Sequence, residues 1–188
     1  MADLGCTPSQ TVGPYLALVL PWEDGCDAVA PGTPGAVTIA GRMFDGSGDP
    51  IPDGLVETWQ ADPDGRFDHR DDPRGRRRYT GFRGFGRCPT DDGGHFAIQT
   101  LRPGPLPAGD GQVEAPHVDV SVFARGLLNR VVTRIYFPDE AEANAADPVL
   151  RELPADVARA LIAVPDGDGA LRFDIHLQGP HETPFFRV

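Results

Sequence analysis

Alternating residues between positions 116 and 137 constrain the fold of this chain more than any other feature of its sequence. Successive side chains of a β-strand point to opposite faces, so the alternation predicts two strands joined by a loop at residues 126–129. In the first strand Val118, Val120 and Val122 share one face, and in the second Val131, Thr133, Ile135 and Phe137 share one face. The polar residues His117, Asp119 and Arg134 lie on the opposite faces of their strands. Polar groups in a sheet are costly unless they are paired, so these three invite a functional explanation.

Short predicted strands separated by turn residues fill most of the chain from residue 36 onward. Further strand-like runs occur at residues 37–44, 55–60, 95–100 and 172–178. Helical signals are confined to residues 139–162. Many short strands with Gly, Asp and Pro turns and little helix are typical of an all-β sandwich. The sequence therefore predicts one all-β domain over residues 36–188, with one or two short helices.

Residues 1–35 are predicted to form an N-terminal arm, because they are rich in Pro and Gly and show no sustained period. Within the arm, Pro14 follows Gly13 and precedes Tyr15 in a turn whose backbone proline restricts. A second irregular stretch covers residues 66–94, and long loops in small domains are often functional. Its residues 76–78 are three arginines, a candidate anion site, but the neighbouring aspartates favour a solvated loop.

The composition excludes several kinds of partner. A net charge of -11 with dispersed acidic residues argues against nucleic acid and against anionic membranes. The chain has no run of about 18 apolar residues that would predict a transmembrane helix. Its first residues lack the basic flank and apolar run of a secretory signal. Three cysteines without CxxC spacing predict a cytoplasmic protein whose thiols are free.

An ordered series of motifs extends from Thr7 to the C-terminal region: TPSQTVGPY, VETWQADPDG, FGRCPTDDGG, RPGPLP, SVFARGL, TRIYFPDEAEAN and RFDIHLQG. This series resembles the intradiol ring-cleavage dioxygenases over nearly the whole chain. The resemblance implies a two-sheet β-sandwich that acts as the alpha chain of an alpha–beta heteromer. The expected reaction is cleavage of 3,4-dihydroxybenzoate (protocatechuate) with O2 to 3-carboxy-cis,cis-muconate, in the β-ketoadipate pathway of aromatic compound catabolism.

The resemblance also implies a non-haem ferric ion, held in the beta chain by two tyrosines and two histidines. Ferric iron is a hard ion that suits phenolate oxygen and imidazole. This chain has His117 and Asp119 where the iron-bearing chains resemble His-x-His, and Leu106 where they resemble tyrosine. Tyr79 lies too close to the following GFGR motif to match the other tyrosine. We therefore expect Fe3+ in the partner beta subunit and no metal or catalytic residue here, with His117 and Asp119 bonded to each other or to nearby backbone.

The resemblance implies two sets of substrate-binding residues. The arginine of the T-R-x-Y-F motif is Arg134, which is expected to reach the pocket housed largely in the beta partner. A guanidinium can hold the substrate carboxylate through two parallel hydrogen bonds. The arm residues Thr11, Gly13, Pro14 and Tyr15 are expected to border the same pocket at the interface. Such arms also lock subunits together, and the two roles are compatible.

Two alternative functions remain open at this point. His117, Asp119 and His176 have the spacing of the two-histidine, one-carboxylate set of ferrous oxygenases, although His-x-Asp occurs often by chance. The other alternative is a non-catalytic β-sandwich that only stabilises a partner. In that case Arg134 would be an ordinary strand residue.

Overall fold

The computed structural model describes residues 6–74, 79–167 and 169–187, so the arginines at 76–78 lie outside the described residues. The strands are β1 Ala36–Phe44, β2 Leu55–Trp59, β3 Phe85–Pro89, β4 His95–Leu101, β5 Leu106–Pro107, β6 Val113–Glu114, β7 His117–Phe123, β8 Val131–Tyr136, β9 Val164–Pro165, β10 Leu171–Arg172 and β11 Ile175–His176. The helices are α1 Tyr15–Val19, α2 Ala141–Ala146, α3 Pro148–Glu152 and α4 Ala155–Ala160, with a 3-10 turn at Gly109–Gly111.

These strands form two main sheets. In the first, β4 is antiparallel to β1, β10 and β11 pair parallel with successive parts of β1, and β9 joins β10. The second sheet is antiparallel throughout, in the order β3-β2-β7-β8. Strands β5 and β6 make a separate small pair. The predicted all-β sandwich is confirmed, and the described ranges hold four short α-helices rather than one or two.

The core between the sheets is built from the apolar face that the alternation predicts. Val118, Val120 and Val122 of β7 are almost fully buried, and they belong to one cluster with Ile39 and Ile98 of the other sheet. Full burial of such a side chain contributes about 1.5–3 kcal/mol. The inward face of β7 and β8 therefore fixes which side chains of these strands point outward.

The end of the predicted arm pairs with both sheets. Gly25 accepts a hydrogen bond at its carbonyl oxygen from the backbone N–H of Arg87 in β3, at 2.7 Å. Ala28 donates its backbone N–H to the carbonyl oxygen of Gln99 in β4, also at 2.7 Å. Because β3 and β4 belong to different sheets, this segment closes one side of the sandwich. The division into an arm, residues 1–35, and a domain, residues 36–188, stays a prediction.

This pairing brings two distant cysteines together. Cys26 and Cys88 form a disulfide, with their Cα atoms 4.6 Å apart and 62 positions apart in sequence. The prediction of three free thiols is therefore wrong for these two, while Cys6 is free and exposed. The sequence gives no local sign of the disulfide, because only the closure of the sandwich places the arm beside β3.

Helices α2–α4 lie against the outer face of β8. Tyr136 of β8 is fully buried in a cluster with Leu150 of α3 and Leu161, which follows α4. The helical segment thereby covers the part of the second sheet that carries the polar residues. Of the helices in the described ranges, none has the length and apolar character needed to cross a membrane.

Candidate functional site

Strands β7 and β8 place the predicted polar residues directly beside one another. Their antiparallel register pairs Asp119 with Arg134 and His117 with Tyr136. Arg134 donates from Nε to Asp119 Oδ1 at 3.0 Å. Its Nη1 lies 3.2 Å from Oε2 of Glu114, which comes from β6. The guanidinium is therefore held by two carboxylates on the outer face of the second sheet.

A second chain of contacts links the same guanidinium to helix α3. Arg134 Nη1 also donates to Tyr136 Oη at 3.4 Å, and the Tyr136 hydroxyl donates to Asp147 Oδ1 at 3.3 Å. Asp147 is fully buried and is the N-cap of α3. Its carboxylate accepts backbone N–H groups of Ala115, Val149 and Leu150. Arg134 is thus tied through one tyrosine to a carboxylate that accepts four hydrogen bonds from the fold.

The surroundings fix the protonation of both side chains. Burial by itself would lower the pKa of Arg134, but the hydrogen bond to Tyr136 and the charges of Asp119 and Glu114 outweigh it and raise that pKa. Burial also raises the pKa of the Tyr136 hydroxyl, although the Arg134 hydrogen bond opposes this. At neutral pH, Arg134 is therefore a cation and Tyr136 is a neutral hydrogen-bond donor.

His117 is held by backbone rather than by Asp119. Its Nδ1 lies 2.7 Å from the carbonyl oxygen of Ala115, so the Nδ1–H tautomer donates to that oxygen. Its Nε2 is 3.6 Å from Glu114 Oε2 and 3.7 Å from Asp119 Oδ1, beyond hydrogen-bonding distance. The expectation is confirmed for His117, which bonds to nearby backbone, and it is wrong for Asp119, whose carboxylate accepts from Arg134 instead. The ring is fully enclosed and packs against Tyr136.

The donor set around Arg134 does not fit a ferric ion. Leu106, at an implied tyrosine position, pairs with Glu114 across β5 and β6 and offers only hydrocarbon. The carboxylates of Glu114 and Asp119 are already engaged by a cation. Among the described residues, no three His, Cys, Asp or Glu side chains are grouped so that they could hold a metal. The described part of this chain therefore offers no suitable set of ligands for a ferric ion.

The ferrous alternative is wrong on geometric grounds. His176 lies on β11 in the first sheet, whereas His117 and Asp119 lie on β7 in the second. The His176 ring stacks on Phe44 with centroids 4.8 Å apart. Ile175, its neighbour, faces the core, so His176 points away from the second sheet. The three predicted ligands cannot meet at one ion.

The structure does not bring the arm residues into contact with Arg134. Thr11 Oγ1 accepts the backbone N–H of Gly126 at 3.2 Å, in the loop after β7. Arg134 is paired near the other end of that strand. Gly13 has φ of 63°, a conformation that favours glycine, and Tyr15 is exposed. Within the described residues the predicted substrate contacts therefore form two separate groups. Of these contacts, only Arg134 lies in the polar cluster, which it forms with Glu114, Asp119, Tyr136 and Asp147.

Sequence reasoning missed two members of the cluster. Glu114 lies in a two-residue strand, which is too short to show an alternating pattern. Asp147 precedes Pro148, and an aspartate followed by proline is a typical N-cap and N1 pair. That signal could have placed Asp147 at the start of α3, although it says nothing of Tyr136 or of Ala115.

The chain is similar to known dioxygenases over most of its length. A family model described as Dioxygenase matches residues 23–179. The alpha chain of protocatechuate 3,4-dioxygenase from Burkholderia cepacia is 42% identical, with 100% of both chains covered. The corresponding alpha chain from Pseudomonas putida is 36% identical over 96% of this chain and 95% of that one. The beta chain from Burkholderia cepacia is 33% identical over 80% of this chain and 68% of its own length.

This chain is also similar to a dioxygenase of known structure. The dioxygenase domain of a carbohydrate-binding fusion protein from Streptomyces sp. SirexAA-E superposes with a TM-score of 0.57 and 27% identity. The alignment covers 92% of this chain and 98% of that domain.

Proposed function

This chain belongs to the intradiol ring-cleavage dioxygenase family, and we propose that it is the alpha subunit of an enzyme that cleaves 3,4-dihydroxybenzoate with O2 to 3-carboxy-cis,cis-muconate. Full-length similarity to two protocatechuate 3,4-dioxygenase alpha chains supports this proposal. Weaker similarity to a beta chain over 80% of this chain indicates that both kinds of subunit share one fold. The reaction breaks the bond between the two hydroxylated carbons, and each carbon gains one oxygen atom of O2.

The ferric ion belongs to the beta subunit in this proposal. There it would bind the two catechol oxygens and activate the ring toward O2. Among the described residues of this chain, the leucine at position 106 and the guanidinium among the carboxylates leave no comparable set of donors. The contribution of the alpha subunit is therefore to bind and orient the substrate and to hold the interface.

Arg134 is the proposed contact for the substrate carboxylate. The proposal is supported by its hydrogen bonding, which engages two of the three guanidinium nitrogens and leaves the third available. Nε and Nη1 are engaged by Asp119, Glu114 and Tyr136. Nη2 donates to no atom of the described residues, and the side chain keeps 20% of its surface exposed. A carboxylate from outside the chain can therefore approach Nη2, as a contact with one nitrogen rather than with two.

The arm is proposed to meet the beta subunit. It exposes large apolar side chains: Val12, Tyr15, Leu18, Val19 and Trp22. Contiguous exposed apolar residues mark interaction sites in soluble proteins. Burial of this surface against the beta subunit would bring Thr11, Gly13, Pro14 and Tyr15 to the border of its pocket, since they lie in the same segment.

The proposal is tested in the enzyme assembled with its beta subunit. Arg134→Met should raise the dissociation constant of 3,4-dihydroxybenzoate by about 10- to 100-fold, the value of a hydrogen bond to a charged group. Catechol, which lacks the carboxylate, should bind as before. Arg130→Met, an exposed arginine beyond the loop, is the matched control. Iron should be found with the beta subunit, and iron bound stoichiometrically by the separated alpha subunit would contradict the proposal.

A non-catalytic scaffold is the second candidate, and one observation favours it. Arg134 already balances two carboxylates within its own chain, as a purely structural arginine would. Under this alternative, Arg134→Met lowers the stability of the assembled protein but leaves the affinity for 3,4-dihydroxybenzoate unchanged. The comparison of substrate affinity with thermal stability separates the two candidates.

A further inference from the structure

We infer that Glu114 and Asp119 tune the strength with which Arg134 holds a carboxylate, and that they keep it weak enough for the product to leave. This inference rests on the proposed function, because it takes Arg134 as the contact for the substrate carboxylate. Glu114 and Asp119 act through Arg134, so they are positioning residues rather than groups that touch the substrate.

The contacts of Arg134 fix the orientation of its guanidinium. Asp119 holds Nε at 3.0 Å, and Glu114 and Tyr136 hold Nη1 at 3.2 and 3.4 Å. Contacts on two of the three nitrogens restrict rotation of the planar group and leave Nη2 as the nitrogen that donates to no described residue. A guanidinium that was free to turn could instead present two nitrogens side by side, which is the stronger way to hold a carboxylate.

The charges around Arg134 weaken its attraction for a further carboxylate. Two carboxylates face one guanidinium, so the cluster of Glu114, Asp119 and Arg134 carries more negative than positive charge. The buried carboxylate of Asp147 lies one step further, behind Tyr136. The side chain of Asp119 is 34% exposed and that of Glu114 is 20% exposed, so solvent screens part of this field without removing it.

The excess of negative charge around Arg134 affects the product more than the substrate, because the reaction adds negative charge to the ligand. The substrate brings one carboxylate to Arg134, whereas ring cleavage turns its two hydroxylated carbons into two further carboxylates. An arginine without neighbouring carboxylates would hold the product more tightly than the substrate and would slow release of the product. Glu114 and Asp119 offset part of the attraction, and the offset grows with the charge of the ligand.

The test uses substitutions that separate charge from hydrogen bonding, in the enzyme assembled with its beta subunit. Asp119→Asn and Glu114→Gln keep an acceptor oxygen for Arg134 and remove one negative charge. Each should lower the dissociation constant of 3,4-dihydroxybenzoate about fivefold, the effect of a partly screened charge, and that of the product at least as much. Calorimetric titration without O2 measures both constants independently of turnover. The dissociation constant of catechol should not change.

Two further variants complete the design. Asp119→Leu removes the acceptor as well as the charge, so it should lose the gain in affinity that Asp119→Asn provides. Asp156→Asn makes the same change of charge at an exposed position of α4 and should leave all three dissociation constants unaltered. Thermal unfolding and subunit stoichiometry confirm that each variant assembles.

The possible outcomes distinguish this inference from the proposed function. If Arg134→Met leaves the affinity for 3,4-dihydroxybenzoate unchanged, the proposed contact itself fails. If Arg134→Met weakens binding but Asp119→Asn and Glu114→Gln do not tighten it, the tuning role is overturned and the contact stands. If Asp119→Leu tightens binding as much as Asp119→Asn, the orienting part of the inference is overturned.

Discussion

Asp119 and Arg134 are direct partners across the β7–β8 pair, and the Nε of Arg134 donates to the Oδ1 of Asp119 at 3.0 Å. The same register buries Val118 and Ile135 on the opposite face. A slip of one residue would exchange the two faces of a strand, sending Arg134 into the core. The apolar packing of the sandwich therefore fixes the strand register, and this register alone places Asp119 beside Arg134.

Tyr136 should matter more for stability than its single hydroxyl suggests. Tyr136→Phe removes the acceptor for Arg134 Nη1 and the donor to the buried Asp147. We expect the free energy of unfolding to fall by about 1–2 kcal/mol, because a buried charged group loses one of its hydrogen bonds. Tyr79→Phe, at an exposed tyrosine outside the arm, is the control. Chemical denaturation of the assembled protein measures both, and equal losses would contradict the structural role of the buried hydroxyl.

The sequence predicts the fold and the position of Arg134 for a physical reason. Alternation has a period of two residues, and the two long strands of the second sheet follow it over residues 118–123 of β7 and 132–135 of β8. The pattern therefore assigns each side chain to a face, and it correctly places His117, Asp119 and Arg134 together. Their partners inside the cluster come from outside these strands, so alternation cannot find them.

The missing contacts are long-range. Asp147 reaches Ala115 across 32 residues of sequence, and Cys26 reaches Cys88 across 62. No local spacing encodes such contacts, because they depend on how α3 and the arm pack against finished sheets. The substrate-binding role of Thr11, Gly13, Pro14 and Tyr15 stays a prediction for a similar reason, since a pocket shared with another subunit is not contained in this chain.

Loop residues 66–74 should respond to acid through Asp72. Its side chain is almost fully buried and accepts hydrogen bonds from Arg74 and from the backbone N–H of Phe67. The Arg74 hydrogen bond lowers the pKa of Asp72 below its ordinary value of 3.8, although burial opposes this. A lowered folded-state pKa stabilises the loop above the ordinary value, and the stabilisation is lost as the pH falls through the folded value.

Hydrogen exchange at the Phe67 amide measures this effect. Its protection, corrected for the intrinsic rate, should be constant near neutral pH and should fall below about pH 4. Asp72→Asn should show reduced protection at neutral pH and little further change in acid. Asp71→Asn, at the exposed neighbouring position, should behave like the unmodified chain. Acid-independent protection in the unmodified chain would rule out Asp72 as the stabilising group.

The Cys26–Cys88 disulfide should stabilise the protein, since it closes a long loop between the arm and β3. For a separation of 62 residues, we expect Cys88→Ser to lower the free energy of unfolding by about 2–4 kcal/mol. Cys6→Ser, at the free exposed thiol, should have no effect. A reductant should lower the melting temperature of the unmodified protein but not that of Cys88→Ser.

Thiol alkylation of whole cells tests the predicted cytoplasmic location together with the disulfide. A reducing cytoplasm disfavours disulfides. Because Cys88 is buried, the cells are quenched in acid and the thiols are alkylated after denaturation; labelling of Cys6 alone would then show that the Cys26–Cys88 bond persists in the cell. Labelling of all three cysteines would mean that the bond forms only after the protein leaves a reducing environment.

Helix α1 should contribute to the interface with the beta subunit. Leu18 is 73% exposed and Val19 is 69% exposed, and no residue of this helix is buried against its own chain. Leu18→Asp places a charge that must lose its water on association, so we expect the dissociation constant of the two subunits to rise at least about tenfold. Val164→Asp introduces the same charge at a valine of β9 that is also exposed, and it should leave association unchanged. Native mass spectrometry over a dilution series measures both constants, and equal association of both variants would place the interface away from the arm.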